Sequence, residues 1–312
     1  SSFKAQRHPL SGPALSGPGG AMAAGFRAAR PLVGALVAPL PLLLDGRRRW
    51  TGAGGVVRNE GLDSKSFAQL RCLKNEQHTH DTRKITFQLP NGEARWTTQV
   101  PITNVLVGVP FQEPGAEAPK VVARPYNPVT VDEPGSLTIL VKKYQDAKIG
   151  SKLHSLEVGQ TIGVKGGRQQ WPFEPHKYTH YGMVAGGTGI TPLIQAASHI
   201  LEKDSVAKVT LVCANKTPQD ILLLDELAAL QKAYPKRLAI FHHVDSVAGT
   251  QVTPELLKRH MPAAGPGVLI MVCGPMGMLK AVAGPKAKDY TQGEVGGFLK
   301  EMGYSQVHVW KV

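Results

Sequence analysis

The chain has 312 residues, 42% hydrophobic and 19% charged, which is length for about two domains and too much apolar material for a disordered protein. Lys and Arg number 36 against 23 Asp and Glu, a formal charge of +13, of which residues 1–60 supply +6 and the remainder +7. Such a surplus suits an acidic protein partner or an anionic membrane face; without a basic patch interleaved with aromatic residues, nucleic acid is not an expected partner. The cysteines Cys72, Cys213 and Cys273 are odd in number and far apart, so they make neither a disulfide framework nor a paired metal-ligand motif.

Residues 1–44 contain Lys4, Arg7, Arg27 and Arg30, no acid, and much Ala, Gly, Ser and Pro, the composition of an organellar transit peptide. The sequence begins at Ser1, so either its start is absent or a leader has been removed. Pro31 to Leu44 is apolar for 14 residues before Arg47, Arg48 and Arg49, whereas a bilayer-spanning helix needs about 20. Pro39 and Pro41 also oppose a regular helix there. Residues 1–60 therefore read as a targeting or tethering extension, with a tail packed on a partner as the alternative.

From 61 to 172 the pattern is one of short β-rich runs between turn signals. Lys84 to Leu89 alternates before the turn Pro90-Asn91-Gly92, and Val121 to Ala123, Leu137 to Val141 and Thr161 to Lys165 follow at the spacing of an antiparallel barrel or sandwich. From 173 to 312 strands and helices alternate: strands at Tyr181 to Ala185, Val209 to Ala214, Leu238 to Val244 and Val268 to Cys273, with helices at Pro192 to Leu201 and Leu222 to Ala233. That rhythm predicts an α/β domain with a doubly wound parallel sheet.

Three motifs carry chemistry. Gly186-Gly187-Thr188-Gly189-Ile190-Thr191-Pro192 follows a buried strand and opens a helix, where glycines permit a tight turn and a close ligand, and Thr191 followed by Pro192 reads as an N-cap with proline at the first helical position. A helix start at the carboxyl end of a parallel strand is a site for an anionic group. The motif departs from the dinucleotide fingerprint because Pro192 stands at its third glycine. Arg124-Pro125-Tyr126-Asn127-Pro128-Val129-Thr130 sets a guanidinium, an aromatic ring and a polar side chain on a stiffened segment, suited to a pyrophosphate and a flat heteroaromatic, or simply to an edge strand held by prolines. Cys273-Gly274-Pro275-Met276-Gly277-Met278 follows the last apolar strand, where open sheets bind ligands. No acid or base stands beside Cys273, so it is read as a neighbour of a substrate ring or a small buried hydrophobe, not as a nucleophile.

In this order the three motifs resemble those of the ferredoxin reductase superfamily and, within it, the NADH-cytochrome b5 reductases. His80-Asp81-Thr82-Arg83 is similar to the signature of that family's first barrel strand. Trp171-Pro172-Phe173-Glu174-Pro175 with Lys177, Asn215 to Leu223, and the tail Gln292-Gly293-Glu294 with Leu299 to Tyr304 resemble its fungal mitochondrial form. The resemblance implies a Greek-key β-barrel for FAD in 61–172 followed by an NADH domain in 173–312. It implies that Arg124 holds the FAD pyrophosphate, that Tyr126, Asn127 and Thr130 lie along the flavin, and that Lys142, Tyr144 and His80 stand near it. Gly187, Thr188 and Thr191 match the loop between flavin and nicotinamide, and Cys273, Gly274, Pro275 and Met278 match the nicotinamide pocket. Thr191 and Cys273 are the catalytic candidates. Asp220 matches an acid on the adenosine ribose, which favours NADH over NADPH.

Two departures stand out. Where the family usually has Gly-Lys-Met-Ser at the FAD pyrophosphate, the chain has Ala147, Lys148, Ile149 and Gly150 with Ser151 one place late, and Asn127 replaces a threonine or serine. The expected activity is hydride transfer from NADH to FAD and single-electron delivery to a haem protein such as cytochrome b5, in a mitochondrion, at the outer membrane and intermembrane space or associated with the inner membrane. The rivals are a reductase-like accessory subunit of a mitochondrial membrane complex and a reductase for another electron acceptor: a quinone, a ferredoxin or an oxygenase.

Overall fold

A computed structural model describes residues 62–90, 92, 102–111, 117, 119–129, 133–145 and 147–312. The expected extension 1–60 and the candidate Thr130 lie outside the described residues.

The first lobe contains β1 (Ala68–Thr79), β2 (Thr82–Gln88), β3 (Thr103–Phe111), β4 (Lys120–Tyr126), β5 (Ser136–Lys142), helix α1 (Lys148–His154) and β6 (Thr161–Gln169). Its pairings are antiparallel, in the order β4-β3-β6-β1-β2-β5. β6 returns to lie between β3 and β1, which is the long crossing of a Greek key. The outer strands of this order meet, because Pro128 just past β4 bridges Ile139 of β5 and the Val129 amide donates to Thr138 O at 2.8 Å. Every second residue points inward along these strands: Ile85 and Phe87, Val105 and Val107, Leu137, Ile139 and Val141, and Ile162 and Val164 form one buried cluster. This period of two is the physical content of the alternation read from Lys84 to Leu89.

The second lobe runs β7 (His180–Gly186), α2 (Ile190–Lys203), β8 (Lys208–Asn215), α3 (Leu224–Ala233), β9 (Leu238–Val244), α4 (Asp245–Ala248), α5 (Pro254–His260), β10 (Val268–Cys273), α6 (Met276–Ala283), α7 (Gly297–Glu301) and β11 (Val309–Lys311). Its sheet is parallel, in the order β11-β10-β7-β8-β9. Both faces are covered. Met183, Leu211 and Met271 pack toward α2, while Val184, Val212 and Ile270 pack with Leu257, Leu279 and Val282 on the other side, so β7, β8 and β10 are buried along nearly their whole length rather than on alternate residues. The order reverses at β7 and β10, and this is the place where open sheets bind ligands.

Two local expectations need correction. Thr191 is not the N-cap of α2: a 3-10 turn over Gly187–Gly189 starts the winding earlier, the helix begins at Ile190 with Gly189 as N-cap, and the Thr191 hydroxyl donates back to Thr188 O at 3.1 Å. Pro192 is still tolerated, since a first-turn amide has no intrahelical acceptor. The next helix starts at Leu224 rather than Leu222, because Leu223 takes a left-handed conformation with φ of 56° and its amide donates to His78 Nε2 at 3.2 Å.

The lobes share packing. Ile102, Leu140 and Trp171 belong to the same buried cluster as α2, so α2 is enclosed on the sheet side and on the first-lobe side, and 11 of its residues are buried. Within this cluster the Tyr181 hydroxyl is buried with no hydrogen-bond partner. A buried hydroxyl without a partner costs about 1–3 kcal/mol of desolvation. Tyr181→Phe is therefore expected to leave the melting temperature unchanged or raise it, and a clear drop in thermal unfolding would show that the hydroxyl is paired.

Candidate functional site

The site is built where β7 and β10 end side by side. Ala185 is in register with Cys273, so the turn after β7 and the turn after β10 emerge together. Gly189 lies against the second turn: a Cβ there would come 2.2 Å from Cys273 O and 2.9 Å from Gly274 N. Gly186 and Gly274 likewise leave room for Met278, whose Sδ would sit 2.6 Å from a Cβ on Gly186. The glycines thus serve first to bring two backbone turns into contact. Gly187 adds a left-handed φ of 50°, which side-chain-bearing residues adopt at a cost.

Opposite these turns stands the first lobe, and a cleft of about 580 Å³ lies between them, within the usual range for a small-molecule site. Arg124 and Tyr126 line it from β4 and Asn127 from just beyond it, Lys142 from the end of β5 and Tyr144 from just past it, and Lys148, Ile149 and Gly150 from the start of α1. Thr188, Gly189, Thr191, Cys273 and Gly274 line it from the second lobe. Gly187, Pro275, Met278, His80 and Asp220 are not among the lining residues. Met278 packs beneath the turns, and His80 is 57% exposed beside Asp81.

The charge of the cleft comes from Arg124 and Lys148, since Lys142, which also lines it, is met by carboxylates of residues that do not, and no acidic residue lines it among the described residues. Lys148 Nζ also lies 3.4 Å from the centre of the Phe111 ring, which steadies it. Helix α1 has no side-chain cap and no acid in its first turn, so its leading amides have no partner within the helix. This donor set fits a large anion carrying a flat ring system, and FAD is such a molecule. Burial pushes the Tyr126 phenol up to about 12, with Arg124 opposing, so its hydroxyl stays a donor. Burial likewise pushes the Cys273 thiol up to about 11, against Lys286. A protonated thiol is a poor nucleophile.

Asp220 is engaged across the seam between the lobes. Lys142 Nζ lies 2.9 Å from Asp220 Oδ1 and 2.9 Å from Asp81 Oδ2, and Asp220 Oδ2 accepts from the amide and hydroxyl of Thr217 at 3.1 and 2.7 Å. His80 Nε2 completes the cluster at 3.5 Å from Asp81 and 3.9 Å from Asp220. His80, Asp81 and Asp220 are close enough to hold a metal ion, but the Lys142 ammonium already stands between the two carboxylates. Burial opposes the charge on both, yet the Lys142 hydrogen bonds, with Thr82 and Thr217, outweigh it and hold both carboxyls below their ordinary range. Lys84 pairs with Glu226 at 2.8 Å further along the same seam.

The sequence reading missed Asp81 as an ion-pair partner, and it missed Gln195, a buried residue of α2 whose amide reaches the first lobe. The one available signal was a lone amide in the apolar run Leu193 to Ala197, four residues after Thr191.

The sequence matches an oxidoreductase FAD-binding domain family over residues 69–173 and an oxidoreductase NAD-binding domain family over residues 183–284. It is 39% identical over 257 residues to NADH-cytochrome b5 reductase 2 of Phaeosphaeria nodorum, covering 79% of this chain and 75% of that protein. With NADH-cytochrome b5 reductase 2 of Coccidioides immitis it shares 38% identity, over 79% of this chain and 77% of that one. The fold is similar to that of the cytochrome b5 reductase domain of Ulva prolifera nitrate reductase, with a TM-score of 0.67 and 26% identity, over 81% of this chain and 99% of that one.

The seam has a pH signature. Carboxyls held low in the fold stabilise it above the unfolded pKa of about 3.9 and lose that contribution as pH falls through their folded values. The fold is therefore expected to lose stability below about pH 4, and Lys142→Met, which leaves Asp81 and Asp220 without their ammonium, is expected to be less stable at neutral pH and to lose less on acidification. Denaturant midpoints measured from pH 7 to 3 check this; equally steep acid limbs in both proteins would contradict it.

Proposed function

Since the chain belongs to the NADH-cytochrome b5 reductase family, we propose that the cleft between its lobes is where FAD and NADH meet and that a cytochrome b5-like haem protein receives the electrons. The chain is an FAD-dependent oxidoreductase with an NAD-binding domain. The observation that carries the site assignment is convergence: a cationic, acid-free wall from one lobe faces paired glycine turns from the other across a single cleft.

FAD held there would supply hydride acceptance from the reduced nicotinamide and single-electron release, so the protein's own part is alignment and electrostatics. Arg124, with its paired donors, is the residue suited to the pyrophosphate, and Lys148 and the α1 amides support it. That support stands on backbone amides and a lysine, which compensates the serine absent from the Ala147 to Gly150 segment. Tyr126 offers a ring face and a protonated hydroxyl. Thr188 and Thr191, on the turn that opens α2, and Cys273 and Gly274, after β10, are placed to hold the nicotinamide. The Thr191 hydroxyl is directed back onto Thr188 O, which fixes the turn. An ionised Asp220 repels a 2′-phosphate and favours NADH.

Delivery to the acceptor is supported by the surplus of +7 over residues 61–312, which steers an acidic partner. A mitochondrial location is supported by the basic, acid-free composition of the first 44 residues.

Two outcomes follow. Arg124→Ala removes charge-assisted hydrogen bonds of about 1.5–3 kcal/mol each, so the purified variant is expected to carry little flavin, as read from its visible spectrum; full flavin content would remove Arg124 from this role. Cys273→Ser is expected to slow anaerobic flavin bleaching by NADH by no more than about a hundredfold, the scale of a small misplacement, without abolishing it. Complete loss with FAD and NADH still bound would make the thiol a reacting group.

A further inference from the structure

Helix α2 belongs to the nucleotide lobe, but one of its faces is turned to the flavin lobe. Thr191, Gln195 and His199 follow at four-residue spacing, at 7%, 1% and 5% exposure. Gln195 Nε2 donates to Pro128 O at 2.7 Å and to Thr103 O at 3.3 Å. Its Oε1 accepts from Asn127 Nδ2 at 3.1 Å, and Asn127 Nδ2 also donates to Thr103 O at 3.2 Å. The orientation of both amides is forced. Two backbone carbonyls can only accept, so the amino end of Gln195 must face them, and its oxygen must face the amino group of Asn127.

This network lies directly under the cleft. Asn127 follows Tyr126 in the segment proposed to hold FAD, and Gln195 is one helical turn beyond Thr191 in the element proposed to hold the nicotinamide. Apolar surfaces slide against each other at little cost, whereas a buried hydrogen bond weakens steeply outside a narrow range of length and angle. Hydride transfer needs its reacting atoms about 3–3.5 Å apart. Asn127 reaches across from the first lobe to meet Gln195 at 3.1 Å.

We infer that the Asn127–Gln195 amide pair is a positioning device that sets the gap between the two lobes and thereby the rate of hydride transfer. This rests on the reductase reading of the cleft. Neither residue gives or takes a proton or an electron; both act through Tyr126 and Thr191.

The test uses the full chain loaded with FAD, as parent, Gln195→Leu, Asn127→Ser and the double variant. Three quantities are read: anaerobic flavin bleaching by NADH and by NADH deuterated at C4, NAD+ affinity by calorimetry, and backbone hydrogen exchange of the same FAD-loaded proteins over residues 103–107 and 127–129. Gln195→Leu is expected to keep its flavin and bind NAD+ within about twofold of the parent, yet to bleach about tenfold more slowly or worse, with a larger isotope effect. Exchange in the two first-lobe segments rises although the substitution is in the second lobe. Asn127→Ser falls between, and the double variant is no slower than Gln195→Leu, because both substitutions break one interaction.

Bleaching within about twofold of the parent, unchanged exchange at 127–129, or additive effects in the double variant would overturn the inference. If Gln195→Leu does not fold, Asn127→Ser decides by the same measures. A flavin-loaded parent that NADH does not bleach defeats the reductase reading instead, and the exchange measurements then judge on their own whether the amide pair joins the lobes.

Discussion

Everything at the cleft depends on two turns being allowed to touch. β7 and β10 are neighbours where the parallel sheet changes direction, and their exits meet with the backbone of Gly189 against the Cys273 carbonyl. Any side chain at Gly189 would push the turns apart. The start of α2 would move with them, and α2 is the helix on which the first lobe is packed and hydrogen-bonded. The absence of one side chain therefore sets the position of a helix, the helix sets the seam, and the seam sets the width of the cleft.

The seam itself mixes two kinds of interaction with different tolerances. Ile102, Leu140 and Trp171 bury apolar surface against the second lobe, which favours closure without specifying an alignment. Alignment comes from polar links. Gln195 holds the floor of the cleft, Lys142 stands between Asp81 and Asp220 at one side, and Lys84 pairs with Glu226 further out. The Leu223 amide, donating to a neutral His78 ring that burial keeps below its usual pKa, holds the start of α3 in the same seam.

Much of this was legible in the residues. The strand at Lys84 and the sheet strands of the second half declared themselves by period and apolarity, and three motifs pointed to one cleft because each sits at the end of a strand. What escaped notice was nonlocal. β1 is a long strand with only Leu70 and Cys72 buried, so it carries no hydrophobic pattern and is held by its pairings with β2 and β6. The start of α2 was misplaced because a threonine before a proline imitates a cap, whereas a 3-10 turn had already begun the winding. Asp220 read as an acid for the adenosine ribose without its ion pair, since its partner Lys142 is 78 residues away in the chain.

That partnership changes how nucleotide preference is built. A lone carboxylate beside the adenosine ribose repels a 2′-phosphate by its full charge. Asp220 shares its charge with an ammonium at 2.9 Å, and that ammonium is shared in turn with Asp81. The cluster of two carboxylates and one lysine is net negative, so the repulsion proposed for Asp220 belongs to the cluster and not to Asp220 alone. The proposed preference for NADH is then a property of side chains drawn from both lobes, Asp81 and Lys142 from one and Asp220 from the other.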